Sequence, residues 1–300
     1  MSFDLKAFLT EERRQTEVAL DRCLETARGL PGWAEPVLRH GVLTGGKRIR
    51  PILCLTAYRS IQPRADMVDR VRRLACSLEL IHAYSLMHDD LPCMDDAPLR
   101  RGQPTPHTVY GEPTTMRAAA MLIPMAAQVA WTAARDLHHD ARTAAEVVRT
   151  LMNGAGASGM VGGQWTDLAS EGLAIGEDDL TRLHRMKTGA LLTAALRMGG
   201  LAAGAEPAQL RALESYGRSV GLAFQIADDV LDRTASTEEL GKKPSDVEMA
   251  KSTYVGLLGV AGARARGQTE IERALRALAD GGIESAALSA LASYILERER

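Results

Sequence analysis

Residues 82–101 read HAYSLMHDDLPCMDDAPLRR and gather Asp89, Asp90, Asp95 and Asp96, with Arg100 and Arg101 just beyond. Four carboxylates this close repel one another, so the cluster is either a solvated acidic turn or a divalent-cation site. Hard oxygen donors suit Mg²⁺, which keeps water and takes phosphate oxygens as ligands. The two arginines add planar donor forks that match phosphate. A second stretch, GLAFQIADDVLD at 221–232, sets Asp228, Asp229 and Asp232 at the end of an apolar run and favours the cation reading. Asp228 and Asp232 are four apart and Gln225 precedes Asp228 by three, so all three share a helix face. His82, Ser85 and Asp89 form a similar stripe. Gly45-Gly46, followed by Lys47, Arg48 and Arg50, reads as a phosphate-binding turn or a solvated basic one.

Helices must carry these groups. Charge alternates with apolar residues at helical spacing over 4–28, and Gly29-Leu30-Pro31-Gly32 ends that helix. A second helical region, 33–60, is interrupted at Gly45-Gly46. A third, 66–90, buries Val71, Leu74, Leu78 and Ile81, and Pro92 stops it inside the acidic cluster. Residues 101–115, with Pro104, Pro106, Gly111 and Pro113, read as a loop. An Ala-rich helix at 115–137 and another at 140–158 follow. The glycines of 154–163 mark either close helix packing or ligand contact. Glu177-Asp178-Asp179 open a helix that carries Lys187 and Thr188. Helices are expected at 206–232, 252–265, 268–280 and 284–297, with a polar loop over 233–250. Period-two patterns are scarce. The pattern predicts an all-α protein, residues 1–300 forming one domain.

Apolar residues make up 46% of the 300, enough for a sizeable core, and no run reaches membrane-spanning length. The start, MSFDLKAFLTEERR, lacks a basic-then-apolar signal pattern, which predicts a soluble cytoplasmic protein without stable membrane insertion. A net charge of −2 argues against nucleic acid as a partner. Cys23, Cys54, Cys76 and Cys93 lack zinc-type spacing and are expected as reduced thiols.

The two acidic stretches resemble the first (DDxxxxD, then LRRG) and second (DDxxD) aspartate-rich motifs of the trans-isoprenyl diphosphate synthases, nearest to the bacterial farnesyl type. GGKRIRP at 45–51, GMVGGQ at 159–164, KTGALL at 187–192, FQ at 224–225, GK at 241–242 and KSTY at 251–254 follow in the family's order. The likeness runs from about residue 40 to the C-terminus. It implies a helical bundle of about ten or more helices around a central apolar cavity, and a homodimer. It also implies a reaction in which an allylic diphosphate ionises, isopentenyl diphosphate attacks the cation, and a proton leaves.

The resemblance further implies roles. Asp89, Asp90 and Asp95, with Asp228, Asp229 and Asp232, would hold Mg²⁺, three ions per site, bridging the allylic diphosphate. Arg100, Lys187, Thr188, Gln225, Lys242 and Lys251 would bind or activate that diphosphate, with Lys187, Thr188 and Gln225 nearest the chemistry. Lys47, Arg50, His82 and Arg101 would hold isopentenyl diphosphate. Tyr84 and Ser85, just before the first motif, would floor the elongation pocket. At 1.5 Å rise per residue Tyr84 lies roughly 7–8 Å below Asp89, but about 140° round the helix, so strict spacing leaves it on a flank. The implied product is C15 farnesyl diphosphate, with C20 geranylgeranyl diphosphate as the alternative.

Three features depart from the family pattern. Ala97-Pro98 stand where acidic residues are frequent, Val255 replaces a frequent proline, and the Gly-Asp pair often found after the second motif is absent. Other classes fit less well. Glu79-Leu-Ile-His82 matches the Glu-x-x-His of di-iron four-helix proteins, but that site needs two such motifs. A terpene cyclase normally carries Asn, Ser and Glu in its second metal motif, and a regulatory subunit usually loses one aspartate set.

Overall fold

The computed structural model describes residues 3–25, 29–234 and 252–297. Helices α1 (Leu5–Glu25), α2 (Ala34–Leu43), α3 (Ile49–Ile61) and α4 (Val68–Asp89) lead to the acidic cluster. A two-residue hairpin follows, β1 (Leu99–Arg100) paired antiparallel with β2 (Gln103–Pro104). Next come α5 (Pro106–Tyr110), α6 (Glu112–Asp136), α7 (Ala141–Ala155), α8 (Met160–Ala169) and α9 (Glu177–His184). A π-helical turn over Arg185–Gly189 joins α9 to α10 (Ala190–Ala202). The chain continues with α11 (Pro207–Thr234), α12 (Tyr254–Asp280) and α13 (Ala286–Glu297). The fold is all-α, as expected.

Helix α4 lies at the centre, against α1, α3 and α6. Its residues from Leu74 to Ile81 are buried on every side, wider than the single stripe the spacing predicts, because neighbours surround it. The charges this burial traps are paired. Arg72 donates to Glu12 at 2.7 Å, and Glu12 also accepts from Arg59 at 2.7 Å. Around this centre α10 packs on α3 and α7, and α11 on α10 and α12. Caps mark several starts: Asp140 accepts from the Thr143 amide at 2.7 Å, and Thr253 from the Gly256 amide at 3.0 Å.

Two local expectations are corrected. Residues 101–115 are more than a loop, because Pro106 and Pro113 open helices α5 and α6, where a proline loses no hydrogen bond. The break expected near 266–267 falls instead at Gly259 (φ 68°, ψ 168°), whose non-helical backbone divides 254–280 into two helical pieces, numbered together as α12. Gly267 instead seats this helix against Leu296, where an added Cβ would come within 2.8 Å.

Candidate active site

The first acidic cluster begins where α4 ends. The chain unwinds after Asp89 into a turn in which the Asp95 amide donates to the Asp89 carbonyl at 2.9 Å and the Ala97 amide to the Asp90 carbonyl at 3.2 Å. The turn sorts the carboxylates. Asp90 is buried and receives Arg100 through Nε and Nη2 at 2.6–2.9 Å. Asp95 and Asp96 are exposed, and Asp89 is half-buried. The Asp89 carboxyl is pushed up to about 6, chiefly by burial. Asp95 and Asp90 add repulsion, while Lys187 and Arg100 oppose it.

The second set stands on α11. Asp228 accepts from Gln225 Nε2 at 3.2 Å. Asp229 points inward, buried, and accepts from the Tyr254 amide at 2.7 Å, which ties α11 to the first turn of α12. Asp228 and Asp232 remain half-exposed. In each set, then, the middle aspartate is buried in the protein while the outer two keep contact with solvent.

Lys187 and Thr188 lie in the π-helical turn, a distortion frequent at functional sites. Lys187 Nζ donates to Asp167 Oδ2 on α8 at 2.5 Å. Helix α8 comes this near because of Gly163, where an added Cβ would meet the Lys187 amide nitrogen at 2.2 Å. The glycine run therefore serves close helix packing. Sequence reasoning missed Asp167. The one signal was its place just after that run.

A cavity of about 440 Å³ is lined by Lys47, Arg50, His82 and Arg101, together with Arg48, Glu79 and Thr188. Gly46 (φ 131°) receives the Arg101 guanidinium, which an added Cβ would meet at 2.6 Å, and Arg101 donates to the Gly45 carbonyl. The close approach of this glycine pair is thus to Arg101. The His82 imidazole is held well below its usual range, first by burial and then by Arg50, Arg101, Arg100 and Arg48, so it stays neutral.

A second cavity, about 460 Å³, lies between α4 and α8. Its mouth carries Asp89 and Lys187, and its walls include Tyr84, Ser85, His88, Met160, Val161 and Trp165. Helix α4 is regular through Asp89, so no bulge brings Tyr84 in. The ring reaches the cavity from its flank because α8 supplies the facing wall, and it packs on His88 with centroids 4.6 Å apart. The two cavities share Arg50, His82 and Thr188. Lys242 and Lys251 lie outside the described residues.

The donor set fits Mg²⁺. Among the described residues no three His, Cys, Asp or Glu side chains converge into a ready-made cage. Mg²⁺ needs none, since it binds through one or two carboxylates plus water and phosphate oxygens. Asp89, whose charged form is disfavoured by burial beside other carboxylates, is a position that a cation would relieve.

A helical fold in which a basic cavity and an acid-mouthed apolar cavity meet defines a class that handles diphosphates with hydrocarbon tails. The polyprenyl synthetase family model matches residues 31–287, and the chain belongs to that family. It is 40% identical over 295 residues to farnesyl diphosphate synthase of Escherichia coli (strain K12), covering 96% of each chain. It is 38% identical to geranylgeranyl pyrophosphate synthase 9, chloroplastic, of Arabidopsis thaliana, covering 98% of this chain and 81% of that one. Among solved structures, geranyltransferase from Helicobacter pylori complexed with magnesium and isoprenyl diphosphate superposes with a TM-score of 0.83 at 30% identity, covering 99% and 98% of the two chains.

Proposed function

We propose that this chain condenses dimethylallyl or geranyl diphosphate with isopentenyl diphosphate to give farnesyl diphosphate. The observation that carries this reading is the junction of the two cavities at Arg50, His82 and Thr188. One cavity offers cations for a diphosphate. The other offers the Asp89 carboxylate and apolar walls for a tail. Lys47, Arg50 and Arg101 bind the isopentenyl diphosphate head, and neutral His82 donates a hydrogen bond to it.

Asp89 and Asp95, together with Asp228 and Asp232, would hold Mg²⁺ for the allylic diphosphate, three ions per site. Bound there, Mg²⁺ acts as a Lewis acid for the departing diphosphate. Asp90 and Asp229 belong to the site as supports: Asp90 fixes Arg100, and Asp229 fixes α12. Lys187 and Arg100 neutralise the leaving group. Thr188 and Gln225 turn oxygen atoms toward the allylic cation. The C–O bond of the allylic substrate breaks, the new C–C bond forms to isopentenyl diphosphate, and a proton leaves. Lys242 and Lys251 add to the allylic head. Tyr84, backed by His88, with Ser85 beside it, ends the tail space at C15. Product analysis with labelled isopentenyl diphosphate and each allylic partner, with and without chelator, tests the reading. Chelator-resistant turnover, or a geranylgeranyl product, overturns its metal or its chain-length part.

We further propose one domain, a homodimer and a cytoplasmic location. A single apolar cluster draws on α1, α4, α7, α10 and α13, which supports one domain. Exposed Met116, Ala120, Pro124 and Trp131 fall within an arc of about 80° on α6, which supports that helix as the dimer face. No described helix is long and apolar enough to cross a membrane, and the four cysteines are unbridged, as suits a reducing compartment.

A further inference from the structure

Arg48 interrupts the basic turn in two ways. Its backbone is left-handed (φ 52°, ψ 33°), a conformation that a side chain other than glycine's disfavours. Its side chain also turns away from solvent while Lys47 on one side and Arg50 on the other line the basic cavity. The Arg48 guanidinium donates from Nη1 to Glu79 Oε1 at 2.7 Å and from Nη2 to the Val42 carbonyl at 2.9 Å. One residue thereby joins the last turn of α2, the first turn of α3 and the middle of α4 across the Gly45-Gly46 turn.

Glu79 is the only carboxylate among the described residues lining this cavity, which also carries Arg13, Lys47, Arg50 and Arg101. Its side chain is 3% exposed, and its second oxygen, Oε2, is buried without a partner, as is Nε of Arg50. A buried ion pair is weak evidence for stability, because desolvating both charges offsets their attraction. Its retention here calls for another reason, and the cavity supplies one.

We propose that Glu79 is a positioning residue for the isopentenyl diphosphate head. By holding Arg48 in its left-handed pose and balancing Arg50, it aims Lys47 and Arg50 into the cavity before substrate arrives. Burial lowers the Arg50 pKa, Glu79 raises it and Arg101 lowers it further, which marks Glu79 as the counter-charge of both arginines. The inference rests on the reading that this cavity binds isopentenyl diphosphate.

The sign of one substitution separates positioning from bulk electrostatics. In Glu79→Gln the amide oxygen still accepts from Arg48, but the neutral side chain no longer balances the buried charge of Arg50 or holds Arg48 by a charge-assisted bond. If Glu79 were only a diffuse counter-charge, its neutralisation would strengthen the positive field and tighten diphosphate binding. Positioning predicts the reverse. Calorimetry with isopentenyl diphosphate alone should show binding weakened by about tenfold or more, as expected when a buried charge-assisted hydrogen bond becomes a neutral one. The KM for geranyl diphosphate should stay within about twofold, since the cation clamp on that head is made by other residues.

Unchanged or tighter binding, or an equal loss for both substrates, overturns the proposal. Lys47→Ala and Arg50→Ala are run alongside: if neither weakens isopentenyl diphosphate, the site reading itself has failed, whereas a loss in both with none in Glu79→Gln defeats only the present inference. Should Glu79→Gln not fold, Glu79→Asp keeps the charge but withdraws it from Arg48. The same selective loss is then expected, and its absence is equally fatal.

Discussion

Lys187 and Asp167 form an ion pair of 2.5 Å that links the π-helical turn to α8, twenty residues earlier in the chain. The ammonium is thus held at the cavity mouth beside Asp89, ready to exchange one anion for another when a diphosphate enters. Lys187→Ala should lower kcat by roughly 10²–10³, the usual loss for one preorganised charge-stabilising donor. Isopentenyl diphosphate affinity, measured alone by calorimetry, should be unaffected. A kcat within a few-fold of the parent would remove Lys187 from the chemistry.

Asp89 trades stability for function. Its folded pKa of about 6 lies above the 3.8 of an ordinary aspartate, so ionising it disfavours the fold. That penalty is absent below about pH 4 and complete above about pH 6 to 7, where it amounts to at most ~3 kcal/mol. Asp89→Asn should therefore raise the melting temperature in chelator at pH 8, with the gain vanishing near pH 4, while turnover falls by at least about a hundredfold. Mg²⁺ with pyrophosphate should stabilise the parent and not the variant. A variant less stable than the parent at pH 8 would contradict the burial argument.

Tyr84 and His88 pack ring on ring with centroids 4.6 Å apart at 54°, one turn apart on α4. Replacing the phenol by a methyl opens the cavity floor toward the core. Tyr84→Ala should shift the main product from C15 to C20 or longer, read by chromatography of dephosphorylated products. An active variant that still stops at C15 would show that another side chain sets the length.

The apolar arc of α6 carries the assembly prediction. Placing a charge at Trp131, 38% exposed, should halve the sedimenting mass at micromolar concentration if this face joins two copies. A parent that already sediments as a monomer would contradict the dimer.

What the sequence determined by itself was local. Gln225 with Asp228 and Asp232, and the stripe of His82, Ser85 and Asp89, follow from helical period alone, because residues three and four apart must share a face. Most helices were legible for the same reason, their apolar spacing having only one buried solution. Tertiary structure decided what those residues face. Arg48 meets Glu79 across 31 positions and Lys187 meets Asp167 across 20, pairings that no spacing rule encodes. That Asp90 turns inward to Arg100, and Asp229 to the Tyr254 amide, depends on where the hairpin and α12 return. Pro106 and Pro113 spell loop and helix start equally well, since a fixed φ suits both, and packing makes the choice. Chain geometry over one or two turns is a local steric matter. Which charge is desolvated beside which is set only when distant segments close over it.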